Sequence, residues 1–217
     1  MTDNEEIRLN LKETFIYLKK ALSLKDFDGN WEWEERNKSL YRLELPLVWK
    51  NLTLEELAIK KNLHGALNYV VVLVQSGSAM LAVFKNNRLL LHKRIQKYMV
   101  RKKRGKSQLT YLKKKGKSRA GSRIRLRESE EFFLEINHTL EDWMFFLEKS
   151  NRIYLAYPLA MGSFLFAKGN SLSGKQDKIV KLPLTVRTPC MKELGRVYYE
   201  ITRGRLFIQG PQDSILP

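Results

Sequence analysis

Four residues, Gly105-Lys106-Ser107-Gln108, combine a free backbone with a side chain able to hold a water molecule. Gln108 does not titrate, so by itself it is no general base. Its carbonyl and amide can orient a water for attack, the task of a glutamine in some phosphate-hydrolysing sites. Gly105 allows positive φ and can present an N–H to a developing oxyanion. Ser107 shapes the same loop through its hydroxyl, since no His/Asp pair is placed to make it a nucleophile. A Gly-x-x-Gln tetrad is common by chance, so its surroundings decide what it means.

Those surroundings are cationic. Of 40 Lys and Arg residues, 13 fall between Lys97 and Arg125, a window without Asp or Glu. Outside it 27 basic residues face 23 acidic ones, so the net charge of +17 is a local feature. A local cationic element of this strength implies a polyanion. It lacks the Trp/Phe/Leu face of an interfacial helix, which favours nucleic acid over anionic lipid. Arg101, Lys102, Lys103, Arg104, Lys106, Lys113, Lys114, Lys115, Lys117, Arg119, Arg123 and Arg125 supply phosphate contacts, which carry affinity without sequence information. Tyr98 and Tyr111 offer stacking surfaces for unpaired bases. A solvated loop that binds RNA without chemistry accounts for this charge; it leaves the glutamine unexplained.

Other chemistry is sparse. His64, His92 and His138 are far apart, no metal-ligand spacing accompanies them, and the lone Cys190 allows neither an internal disulfide nor a cysteine zinc site. No Gly-x-x-x-x-Gly-Lys phosphate loop is present. No metal or cofactor is therefore expected. His92, at the end of a strand entering the basic window, is retained as a candidate base. The apolar run Val70–Val74 is far below the roughly 20 residues that cross a bilayer, so no membrane partner is expected. The start "MTDNEEIRLN" has no secretory pattern, and the expected location is cytoplasmic.

The elements that must position these residues follow from periodicity. Ile7, Leu11, Phe15, Ile16, Leu18 and Leu22 make a helical stripe with Asp3 or Asn4 as its cap. "LYRLELPLVWK" reads as a short strand or extended arm, and Thr53 to Asn62 as a capped helix. "WEWEER" reads as part of a turn. "NYVVVLVQ" is a buried strand, and "SAMLAVFKNNRLLLHKRI" a hairpin turning at Asn86-Asn87. "ESEEFFLEINHTLEDWMFFLEK" is an amphipathic helix whose aromatics Phe132, Phe133, Trp143, Phe145 and Phe146 belong to the core. "RIYLAYP" and "KIVKLPL" are strands, and "TPCMKELGRVYYEITRG" is a helix. These predict an α/β fold, a mixed sheet flanked by helices. A small, mostly helical N-terminal extension (1–62) precedes the main domain (63–217), whose loop is the basic window 97–125.

Together these motifs resemble one family. His92-Lys93, then Tyr98, Val100, Arg101, Lys103, Gly105 and Gln108, then Ala120-Gly121-Ser122-Arg123, match the catalytic segment of the Vms-like release-factor family. These are ribosome quality-control peptidyl-tRNA hydrolases related to the catalytic middle domain of eukaryotic class I release factors. "LPLTVRTPCMKEL" is similar to the family's Pro-Leu-x-Thr-x-Arg-x-Pro segment. The resemblance spans about 63–204. One departure is Lys106, where many members carry a small residue. The resemblance implies a release-factor-like domain whose Gln108 is catalytic at the 3′ end of peptidyl-tRNA, with the large ribosomal subunit and rRNA as partners. It implies either ester hydrolysis or cleavage of the tRNA near its CCA end. A non-catalytic ribosome or RNA-binding factor and a tRNA endonuclease acting away from the ribosome stay open beside it. No protein recruiter is legible; the zinc-finger and ankyrin parts of eukaryotic relatives have no counterpart in this sequence.

Overall fold

The β-branched run Tyr69–Gln75 forms a strand buried on both faces, at the centre of the larger of two sheets. The structure is a computed structural model and describes residues 4–23, 32–34, 40–49, 67–97 and 117–209, excepting the side chains of 4 and 117–127. The described elements are β1 (Asn4–Leu9), α1 (Leu11–Leu22), β2 (Glu32–Glu34), β3 (Leu40–Glu44), β4 (Tyr69–Gln75), β5 (Ser78–Lys85) and β6 (Arg88–Gln96). They continue with α2 (Lys117–Asp142), α3 (Met144–Lys149), β7 (Arg152–Ala156), α4 (Gly162–Leu165), β8 (Ile179–Lys181), α5 (Met191–Thr202) and β9 (Gly204–Gln209).

The chain divides into two compact units, 66–194 and 1–65 with 195–217. In the first, the sheet runs β6-β5-β4-β7-β8. β4, β5 and β6 are antiparallel neighbours, while β7 and β8 run parallel to β4. Asn86 and Asn87 turn the β5–β6 hairpin with φ of 51° and 59°, the left-handed pair that a two-residue turn needs. The Tyr69 hydroxyl donates to Asn87 Oδ1 at 2.6 Å and fixes the turn from below. Val70, Val72, Val74, Leu81 and Ile95 pack against Phe132, Ile136 and Leu140, a stripe at i, i+4 and i+8 on α2. Each fully buried side chain of this kind contributes about 1.5–3 kcal/mol.

The second unit is a sheet of order β1-β9-β3-β2 with α1. Here the structure departs from the sequence reading. α1 starts at Leu11 because Asn10 closes a capping box: its side chain accepts from the Lys12 and Glu13 N–H groups, and Glu13 Oε2 accepts from the Asn10 N–H. The residues before it, including Ile7, form β1, paired with β9. β9 has the alternation of a half-buried strand, and it pairs with both β1 and β3, so 195–217 joins the N-terminal segment rather than 66–194. Among the described residues of 1–62 there are three strands and one helix, where a mostly helical extension was expected. "WEWEER" contributes β2, with Trp33 stacked on Tyr41 at 5.5 Å. The helix expected over 53–62 lies outside the described residues.

Two further corrections concern the helix after the basic window. It begins at Lys117, so 117–125 is helical backbone rather than loop. The Arg, Lys, Leu and Glu residues leading into its apolar stripe are good helix formers, and Gly121 costs about 1 kcal/mol within it. The helix also breaks at Trp143, and α3 follows separately. Phe145 on α3 is 59% exposed, with the Lys149 ammonium 4.1 Å above its ring, so it is not a core residue.

Candidate nucleic-acid interface and active-site edge

Strand direction gathers the functional segments. Because β4, β6, β7 and β8 point the same way, their carboxyl ends lie along one edge of the sheet. Four connections leave it: the β4–β5 turn, the basic window after β6, the segment after β7, and 182–190 after β8. The carboxyl edge of parallel strands is the usual place for a ligand in open α/β sheets.

β6 delivers the window to that edge. The Lys97 N–H donates to the Gly77 carbonyl in the β4–β5 turn at 2.9 Å, and Ile95 is buried in the core. Lys93 reaches Glu135 at 3.9 Å, and Lys97 reaches Glu131 and Glu135 at 4.0 and 3.8 Å, so the strand end is tied to α2. These pairs are part-exposed and long; they orient the strand more than they stabilise it, at about 0–1 kcal/mol each. Lys97 is thus partly neutralised at the root of the window.

On β6, His92 and Arg94 alternate with the α2-facing residues Lys93, Ile95 and Lys97. His92 lies opposite Ala82 and is exposed. No described side chain hydrogen-bonds its ring. Arg94 donates from Nε to the Pro189 carbonyl at 3.2 Å, and the Ser78 hydroxyl donates to the same oxygen at 3.1 Å. The Gln75 amide donates to the Val186 carbonyl at 2.9 Å, and the Leu182 N–H to the Leu155 carbonyl at 2.9 Å. The Arg187 N–H donates to Glu193 Oε1 at 2.7 Å; this carboxylate, in the first turn of α5, is 5% exposed. The segment that resembles a family motif is therefore moored to the strand ends beside the root of the basic window.

Of the residues singled out from the sequence, His92 is placed on β6, and Lys117, Arg119, Arg123 and Arg125 lie on the backbone of α2. Gly105, Lys106, Ser107, Gln108, Tyr98, Tyr111, Arg101 to Arg104 and Lys113 to Lys115 lie outside the described residues. Sequence reasoning missed Arg94, Gln75 and Glu193 as parts of this edge. Only the motif around Arg187 signalled them. On the other unit a depression of about 410 Å³ is lined by Glu5, Glu6, Glu32, Arg42 and Phe207, and none of the singled-out residues borders it. Among the described residues no helix is long and apolar enough to cross a membrane, and no group of His, Cys, Asp and Glu is arranged to hold a metal.

The comparisons with known proteins agree on a family. A family model described as "Bacteroidetes VLRF1 release factor" matches residues 69–207. The chain is 27% identical over 155 residues to the tRNA endonuclease ANKZF1 of Homo sapiens, covering 70% of this chain and 21% of that protein. It is 28% identical over 114 residues to the tRNA endonuclease VMS1 of Saccharomyces cerevisiae, covering 52% of this chain and 18% of that one. The chain thus spans about a fifth of the length of these curated relatives. A solved structure, the "Vms1 mitochondrial localization core", superposes with a TM-score of 0.51 at 15% identity, covering 95% of this chain and 82% of that one, a likeness of fold. Its fold and the match over 69–207 place the chain in a Vms-like release-factor family: it belongs to the Bacteroidetes VLRF1 release factors.

Proposed function

We propose that the protein is a ribosome-associated hydrolase that frees nascent chains by cutting peptidyl-tRNA at its 3′ end, with Gln108 positioning the attacking water or hydroxyl. The observation that carries this reading is where β6 ends: the strand bearing His92 and Arg94 stops at Gln96, at the carboxyl edge of the sheet of a release-factor family domain, and Gln108 follows twelve residues later in the sequence. The window's cations would lie along tRNA and rRNA phosphates, which brings the 3′ end to the loop and neutralises charge developing on phosphorus. Gly105 and Ser107 would shape the loop around Gln108, and His92, exposed on β6, would serve as the base.

The names of the curated relatives favour cleavage of an RNA phosphodiester over the peptidyl ester. A 2′-hydroxyl attacking the adjacent phosphorus expels a 5′-hydroxyl and leaves a cyclic phosphate; an attacking water leaves a phosphate end. Incubating large subunits that carry labelled peptidyl-tRNA with the protein, then sequencing the tRNA 3′ end, tests the proposal. A shortened tRNA, with the removed 3′ nucleotides still on the released peptide, supports it. An intact CCA end with a free peptide indicates ester hydrolysis, and binding without release leaves an RNA-binding factor.

A further inference from the structure

The segment 182–190 is held by hydrogen bonds to β4, β5, β6, β7 and α5 as well as by its packing. Leu182, Val186 and Pro189 are buried and account for its apolar contacts. Four of its backbone groups are nevertheless moored as well: the Leu182 N–H, the Val186 carbonyl, the Arg187 N–H and the Pro189 carbonyl. Two of these moorings use charged side chains, Arg94 and the buried Glu193. Burying a carboxylate is costly unless it is hydrogen-bonded, and the Arg187 N–H is one of the groups that pair with Glu193. The residue whose backbone it fixes is Arg187, whose side chain is exposed and meets no carboxylate among the described residues. Arg94 spends only its Nε on the Pro189 carbonyl, two residues further on, and keeps the outer nitrogens of its guanidinium.

We propose that Arg187 is an RNA-backbone contact in its own right, a guanidinium set on a moored segment at the carboxyl edge and backed by Arg94, which takes one phosphodiester of the tRNA acceptor end. This rests on the reading of the protein as acting on tRNA. Guanidinium matches phosphate geometry with two parallel N–H donors, and a fixed backbone lowers the entropy lost on binding. The basic window supplies the bulk of the charge; Arg187 sets the register of the RNA against it.

The test is titration of the full chain with a labelled tRNA acceptor-stem minihelix bearing a single-stranded 3′ end, over a series of KCl concentrations. For Arg187→Ala the slope of log affinity against log salt should flatten by about 0.7–0.9, the loss of one phosphate contact. Arg187→Lys should keep the wild-type slope, and Arg187→Gln repeats the experiment if the alanine variant fails to fold. A wild-type slope in folded Arg187→Ala or Arg187→Gln overturns the proposal, as does salt-independent binding by the wild type. Gln108→Ala separates the two readings: lost cleavage with an unchanged slope leaves Arg187 standing on binding alone, while unchanged cleavage sinks the catalytic role without touching Arg187.

Discussion

Replacing Glu193 by alanine should loosen the edge that carries Arg187. The carboxylate is 5% exposed and accepts from the Arg187 N–H at 2.7 Å, in the first turn of α5. Truncation removes a hydrogen bond to a charged group, worth about 1.5–3 kcal/mol, and leaves a part-buried N–H unpaired. It also removes a negative charge from a helix start, worth about 0.3–1 kcal/mol. Glu193→Gln keeps the acceptor and loses only the charge. Glu193→Ala should therefore be less stable than the wild type by about 2–4 kcal/mol in urea titration, and Glu193→Gln by no more than about 1 kcal/mol. Far-ultraviolet circular dichroism and tryptophan fluorescence should be followed together, because two compact units need not unfold as one. Equal losses for the two variants, or none for alanine, would refute the claim that this hydrogen bond moors the segment.

Other consequences are as direct. Gly204→Ala would set a methyl group 2.5 Å from the Thr14 hydroxyl oxygen and 3.2 Å from the Glu44 carbonyl, so thermal unfolding should reveal a loss of about 1–3 kcal/mol. Phe132→Ala empties a fully buried site between α2 and the sheet and should cost about 3–5 kcal/mol by urea titration. Burial pushes the Tyr154 hydroxyl well above the usual tyrosine range, the Arg152 charge opposing this only in part. The folded state thus holds its proton more tightly than the unfolded chain. This contribution is complete below about pH 10, the unfolded value, and is lost as pH rises beyond it. Stability measured against pH should fall on the alkaline side, and Tyr154→Phe should remove that component of the fall.

Legibility followed sequence distance. β4, the Asn86-Asn87 hairpin and the apolar stripe of α2 were readable because period, turn chemistry and partner all lie close together. β1 reads locally as helix because its pairing partner, β9, lies some 200 residues away, and nothing local says that Ile7 faces Leu206 across a ladder. The helical start of α2 was hidden by the cationic texture of 117–125, which reads as loop although most of its residues tolerate a helix well. Phe145 reads as core only if helical spacing continues through Trp143, where the helix breaks. For the proposed site, Gln108 and its cationic surroundings stand out in the sequence itself. The mooring of Arg187 does not: Gln75 reaches Val186, and Ser78 reaches Pro189, across 111 residues. Such a constellation exists only once the sheet has formed.

The most direct test of the account is a single-turnover reaction on large ribosomal subunits loaded with labelled peptidyl-tRNA, comparing the wild type with Gln108→Ala at matched occupancy. The account predicts rapid release of the peptide with a shortened tRNA end for the wild type, and a loss of about 100-fold or more in rate, with unchanged binding, for the variant. Equal release by both proteins, or none by either despite binding, would contradict it.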